Sequence, residues 1–250
     1  MRLKTIIITW LLSLNIVPSY SQDLIYRDSL PFDSDTLSLI DLCAKFKTDK
    51  CGNEHNYIDY YEPLFSPLRE SVERFLEIGI LHGASHHLWQ AYFQKAEIYG
   101  IDIDPNSLIN EGRIHSMIAD QSDREDLKKF SESFPGNFNV IIDDGGHSMK
   151  QQQVSFAYFF PFIELGGYFI IEDVHTSLSD FYPPQFYGVN TDSSNTTLEM
   201  LVTFIKTGEI ESEYLTLSEK EYLKNSIDFI QLVARNNEKH SLMCVIRKKQ

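Results

Sequence analysis

Two acidic clusters each follow a short apolar run. Residues Asn139 to His147 read NVIIDDGGH, and residues Gly167 to His175 read GYFIIEDVH. The carboxylates of Asp144, Glu172 and Asp173 are all-oxygen ligands, suited to a hard ion such as Mg²⁺ with water or substrate hydroxyls completing the shell. Brought together without a cation they would repel one another. His147 follows Asp144 by three positions and adds an imidazole, able near pH 7 to take a proton from an alcohol. A rival arrangement uses His147, Asp144 and His175 as a two-histidine, one-carboxylate iron site. It leaves Glu172 and Asp173 without a part. His82, His86 and His87 read better as a polar helix face than as ligands.

Something must carry both clusters to one place. Each apolar run is rich in β-branched and aromatic residues, as a buried strand would be. The 28-residue step from Asp144 to Glu172 suits one strand-helix-strand crossover. Such crossovers are right-handed and make the strands parallel, so both clusters leave the same carboxyl edge of a sheet. The surrounding pattern repeats the rhythm. Strands are expected over 72–78, 97–103, 113–119, 138–142 and 168–171, with helices over 36–46, 82–93, 151–163 and 197–207. Ser122 and Glu125 form a capping box that should open another helix, and Gly166 with Gly167 should end the 151–163 helix. Two further strands, 229–234 and 242–246, are joined by a polar turn at 235–239. Alternating β-α units closed by an antiparallel hairpin give an α/β fold.

The first strand runs into Gly79 and Gly83, a turn at which a ligand can approach the backbone and meet free helix amides. Asp102 and Asp104 follow the second strand, Asp102 lying 23 residues past Gly79, a spacing at which an acid can accept hydrogen bonds from ribose hydroxyls. Asp120 and Gln121 end the third strand, placed to hold a nucleobase.

Composition narrows the partners. The chain has 250 residues, 42% hydrophobic and 13% aromatic, with a formal net charge of −14. That charge excludes the phosphate backbone of a nucleic acid as an expected partner. Residues 1–21 have a basic start at Arg2 and Lys4, an apolar stretch from Thr5 to Val17, and small residues at Ser19 and Ser21. This is the form of a secretory signal, with cleavage before Gln22; an uncleaved anchor is the alternative. Cys43, Cys51 and Cys244 make no disulfide framework, although Cys43 and Cys51 could pair in an oxidising compartment. Asn195-Thr196-Thr197 is a glycosylation sequon.

Taken together, Glu77-Ile78-Gly79 after strand one, Gly100-Ile101-Asp102 after strand two and Asp120-Gln121-Ser122-Asp123 after strand three resemble the class I S-adenosylmethionine-dependent methyltransferases. Asp143 to His147 and Ile171-Glu172-Asp173 narrow the likeness to the metal-dependent macrolide-sugar O-methyltransferases of the mycinamicin and macrocin type. Lys47-Thr48-Asp49-Lys50, with His55, Tyr57 and Tyr61-Glu62-Pro63, resembles the segment preceding strand one in that family. Two departures stand out: Cys51 replaces a usual Gly, and the segment after Thr176 matches poorly, where acceptor contacts are expected.

The resemblance implies a Rossmann-like, doubly wound methyltransferase fold, its seven-stranded sheet mostly parallel and ending in an antiparallel hairpin. It implies Mg²⁺ on Asp144, Glu172 and Asp173, His147 as the base, and S-adenosylmethionine against Glu77, Gly79, Asp102, Asp120, Gln121 and Asp143. The expected organisation is a single domain over 22–250. It comprises a helical and loop cap (41–70), a cofactor and metal core (71–176), a variable lid or acceptor region (177–215) and a hairpin region (216–250). The implied reaction is O-methylation of a hydroxyl on a sugar-like small molecule, and a homo-oligomer is compatible with it. Two other functions fit the same scaffold: oxygenation of the cephalosporin hydroxylase-like type, and non-catalytic binding by an exported protein. The signal-like segment suggests export or membrane anchoring, whereas supply of the cofactor suggests the cytoplasm.

Overall fold

The computed structural model describes residues 37–52, 54–180, 182–235 and 241–250. The signal-like segment therefore lies outside the described residues. Among the described residues no helix is long and apolar enough to cross a membrane.

Seven strands form one sheet: β1 (Arg74–Ile78), β2 (Glu97–Asp102), β3 (Ile114–Ile118), β4 (Phe138–Asp143), β5 (Ile163–Ile171), β6 (Ile227–Ala234) and β7 (Leu242–Lys248). Their order is β3-β2-β1-β4-β5-β7-β6. The first five pair in parallel, and β7 is antiparallel to both β5 and β6. This is the doubly wound sheet with a terminal hairpin that the sequence implies. Chain order reverses between β1 and β4, which opens a crevice at their carboxyl ends. Three backbone bonds carry the register past the strand ends: Gly79 N–H to Ile101 O, Asp144 N–H to Ile78 O and Glu172 N–H to Asp143 O, each 2.9 Å. The residues that follow β1, β4 and β5 therefore start from a common level.

Eight helices flank the sheet among the described residues: α1 (Leu39–Phe46), α2 (Ile58–Phe65), α3 (Ala84–Tyr92), α4 (Arg124–Ser133), α5 (Met149–Phe159), α6 (Pro184–Tyr187), α7 (Thr197–Thr207) and α8 (Leu217–Ser226). Strand side chains alternate between faces, and the two hydrophobic cores follow that alternation. Phe75, Val140, Ile142 and Ile170 pack under α1, α2 and α3 with Tyr61, Phe65 and Trp89. Leu76, Ile141, Phe169 and Ile171 pack under α4, α5, α7 and α8 with Phe130, Phe156, Leu201 and Leu223.

Three local expectations need correction. The N-cap of α4 is Asp123, whose side chain accepts from Glu125 N–H, and Ser122 instead donates its own N–H to Asp120 Oδ1. Helix α5 starts two residues early because Ser148 and Gln151 form a capping box. It also ends at Phe159, so Gly166 and Gly167 lie within β5 rather than terminating a helix. Gly167 has room for no side chain there, since a Cβ would meet Asn139 O at 2.6 Å. The α8 helix, opened by a Thr216–Glu219 capping box, had no counterpart in the sequence reading.

Cys43 on α1 is bonded to Cys51. The bridge fastens α1 to the loop that precedes α2. In the chain-entropy account a short loop of this kind contributes roughly 2–3 kcal/mol. Cys43→Ser should lower stability by about that amount. Denaturant melts check this: reductant should bring the wild type down to the variant and leave the variant where it was. The sequon at Asn195 is also structural. Its side-chain amide donates to Gly188 O and Tyr214 Oη, both at 2.7 Å, and the residue is buried.

Candidate active site

The crevice at the switch point holds a cavity of about 580 Å³, within the usual range for small-molecule sites. Its floor is the turn after β1. Gly79 has φ +92°, and a Cβ there would lie 2.2 Å from Asp144 O, so the turns after β1 and β4 touch through backbone alone. Asp102 holds the first turn open: its Oδ2 accepts Ile80 N–H at 2.8 Å and Leu81 N–H at 3.0 Å, and its Oδ1 accepts Asp104 N–H. Burial alone would raise the Asp102 carboxyl, but these backbone donors outweigh it and hold it below the usual range. Asp104, Asp120 and Gln121 line the far side. Gln121 is fixed by two contacts, donating to Asp143 at 2.9 Å and accepting Gly146 N–H at 2.6 Å.

The acidic cluster forms one wall of this cavity. Asp144, His147 and Asp173 each offer a ligand atom, all within 4.8 Å of one another. His147 Nε2 lies 3.4 Å from Asp173 Oδ2. Asp173 takes a left-handed backbone, φ +53°, directly after Glu172, which turns it out of the line of β5. Its Oδ1 accepts Tyr57 Oη–H at 2.9 Å, with His55 Nδ1 at 3.5 Å and His175 Nδ1 at 3.8 Å. Burial would raise the Asp173 carboxyl, but the imidazoles of His147, His55 and His175 outweigh it and bring it below the usual range. Asp144 goes the other way, pushed up to about 7 by burial and by Asp173, against the pull of Lys50. Burial and the neighbouring Asp144 likewise push Glu172 well above the usual range.

Carboxylates outnumber ammonium groups at this site. Glu77, Asp144, Glu172 and Asp173 crowd together, with the Lys50 ammonium contacting the first three. Oxygen donors in cationic deficit, beside an imidazole and a cavity, fit a hard divalent ion. The cavity, with its side-chain-free floor at Gly79 and Gly145 and its rim of Asp102, Asp104 and Asp120, fits a nucleoside-bearing cofactor.

The sequence-derived candidates divide by geometry. Gly79, Asp102, Asp120, Gln121, Asp144, His147 and Asp173 line the cavity. Glu77, Asp143 and Glu172 do not. Glu77 and Asp143 are within their strands, so their side chains turn onto the sheet faces rather than over the edge. Glu77 Oε2 accepts from Ser85 Oγ at 2.6 Å and Trp89 Nε1 at 3.1 Å under α3. Asp143 accepts from Ser155 and Gln121 beside α5, and burial pushes its carboxyl up to about 6. It reaches the cavity through Gln121 and through the Gly145 N–H, which it accepts at 3.3 Å. Glu172 points inward, to Tyr61 Oη at 2.6 Å and Lys50 Nζ at 3.0 Å. The iron arrangement is not assembled: the ligand atom that gathers with Asp144 and His147 comes from Asp173, while His175 Nδ1 faces the Leu242 N–H at 3.4 Å and its ring stacks on His55 and meets Tyr182 at a tilt. Lys50, Tyr57 and Tyr61 are functional candidates that the spacing of the acids did not disclose. Their signal was a lysine and aromatics in the segment before β1.

No protein-family model matches the chain. The chain is 33% identical over 174 residues to the 8-demethyl-8-alpha-L-rhamnosyl tetracenomycin-C 2'-O-methyltransferase of Streptomyces olivaceus, a match that covers 67% of this chain and 44% of that protein. It is 34% identical over 176 residues to the mycinamicin VI 2''-O-methyltransferase of Micromonospora griseorubida, covering 67% and 43%. The chain thus spans less than half the length of these curated relatives. Among solved structures, MycE methyltransferase of the mycinamycin pathway, in complex with Mg, SAH and mycinamycin VI, superposes with a TM-score of 0.70 at 29% identity, over 87% of this chain and 56% of that one. With the sheet order, the switch-point cavity and these likenesses on one chain, it is a class I S-adenosylmethionine-dependent methyltransferase in fold and a relative of the sugar O-methyltransferases of the tetracenomycin and mycinamicin type.

Proposed function

We propose that this chain transfers a methyl group from S-adenosylmethionine to a hydroxyl of a sugar-like small molecule, assisted by a divalent ion such as Mg²⁺. The observation that carries this is the cluster of Asp144, His147 and Asp173 on the wall of the cavity whose floor is Gly79. The likeness to sugar O-methyltransferases supports the acceptor class.

A divalent ion, when bound, lowers the pKa of a hydroxyl placed on it. Asp144 and Asp173 would hold that ion, and Glu172 would join them once freed of Lys50. His147 lines the cavity with Nε2 against Asp173, so its ring is oriented before an acceptor arrives. It would take the hydroxyl proton, while S-adenosylmethionine, when bound, would supply the methyl group to that oxygen and leave as S-adenosylhomocysteine. Asp102 and Gln121 set the cofactor-side turns, and rate comes chiefly from positioning. Calorimetric titration of residues 22–250 with S-adenosylmethionine, followed by acceptor screens read by product mass, tests this reading. A gain of about 14 Da per product marks a methyl, whereas about 16 Da would mark an oxygen and replace methylation with oxygenation on the same scaffold. Activity should vanish with chelator and return with Mg²⁺; indifference to chelator would remove the ion from the reaction.

We also propose export. The Cys43–Cys51 disulfide supports it, because such bonds persist in oxidising compartments. N-terminal sequencing of the native protein should begin at Gln22, and a protein beginning at Met1 would count against cleavage.

A further inference from the structure

The inner side of the acidic cluster is closed by a side chain to which the proposed chemistry gives no part. Lys50 is 1% exposed, and its Nζ bonds Asp144 Oδ2 while lying 3.0 Å from Glu172 Oε2. The other Glu172 oxygen is taken by Tyr61. Glu172 is thus tied up by Lys50 and Tyr61, although it directly precedes Asp173. On its far side the same ammonium is 3.2 Å from Glu77 Oε1. That oxygen is fully buried and makes no hydrogen bond among the described residues, while Oε2 of the same carboxylate is satisfied by Ser85 and Trp89. The cationic neighbour of Oε1 is Lys50 itself, in ion-pair contact but hydrogen-bonded to Asp144 and Glu172 instead, and a buried carboxylate oxygen without an aligned donor is costly. An ammonium and a divalent ion sharing carboxylate oxygens in a protein interior repel strongly. One motion answers both conditions.

We propose that Lys50 is a positioning residue with two seats. Forward, on Asp144 and Glu172, it stands in for the divalent ion; back, on Glu77 Oε1, it releases those two carboxylates to the ion. This rests on the metal reading above and assigns Glu77, which does not line the cavity, to the metal side of the site. Loading the ion then requires the lysine to withdraw, so the strength of the back seat sets the affinity for the ion. The disulfide at Cys51 anchors the chain one residue beyond Lys50, so the two seats are reached by the side chain and not by movement of the loop.

The test is titration of the full chain with Mn²⁺, read by the resonance of the free ion, and with Mg²⁺, read by calorimetry, without cofactor or acceptor. Lys50→Met keeps the length and removes the charge; ion affinity should tighten by about tenfold or more. Glu77→Gln weakens the back seat; affinity should fall by about tenfold. In the doubly substituted chain the effect of Glu77→Gln should disappear, because it acts through Lys50. Weaker binding by Lys50→Met, or an equal Glu77→Gln effect in both backgrounds, overturns the two seats and leaves the metal reading standing. If the wild-type chain binds neither ion, the metal reading itself fails and this inference with it. Should Lys50→Met not fold by circular dichroism, Glu77→Gln alone decides: weaker binding supports the proposal, and unchanged or tighter binding overturns it.

Discussion

His147→Ala is expected to reduce methyl transfer by about 10²- to 10⁴-fold, the usual worth of a positioned general base. Affinity for S-adenosylmethionine should stay within about twofold, a loss confined to the chemical step. The other imidazoles near Asp173 cannot replace it. His55 Nδ1 is within hydrogen-bond distance of Ser241 Oγ at 3.0 Å, and His175 Nδ1 faces Leu242 N–H. Both are buried, and neither lines the cavity. His147 alone among the three borders both the Asp144–Asp173 pair and the open space. The measurement is single-turnover methyl transfer beside calorimetric cofactor titration. Wild-type turnover in the variant would sink the base assignment, and lost cofactor binding would show that the imidazole serves the cavity and not the proton.

Much of this site was legible because a parallel sheet sends its strand ends to one edge. An acid placed after an apolar run therefore locates itself, as Asp102, Asp144 and Asp173 did. What sequence could not show was parity at the last strand positions. Glu77 and Asp143 are one or two residues short of the edge, and the alternation of side chains buries both beneath helices. Glu172 is turned inward by a partner 122 residues away, Lys50. No local pattern announces so distant an ion pair, and the burial of a lysine runs against its ordinary preference. The boundary errors have a similar cause. Gly166 and Gly167 look like a helix terminator, yet both lie within β5, where the bare Gly167 allows a close pass against Asn139 of β4.

Gly79→Ala should be the most damaging single methyl in the chain. Two separate costs meet there. Its φ of +92° lies where an L-residue is strained, a penalty of about 1–2 kcal/mol. The added Cβ would also sit 2.2 Å from Asp144 O and 2.8 Å from Gly145 Cα, both backbone atoms that cannot rotate away. Together these predict a loss of about 2–4 kcal/mol. Gly83→Ala separates the two costs. Its φ is +74°, but its Cβ meets Ile109 Cδ1, the flexible end of a side chain. It should cost close to the strain alone, about 1–2 kcal/mol, and leave the acidic cluster undisturbed. Denaturant melts compare the stabilities, and titrations with S-adenosylmethionine and Mn²⁺ compare the two ligands. Gly79→Ala should weaken both together, because the backbone it displaces carries Asp144 on one side and the cofactor turn on the other. Loss of one ligand with the other intact would mean that the two turns are not mechanically joined. The methyl donor and the ion would then be held by independent parts of the edge, and the contact of β1 with β4 would be packing alone.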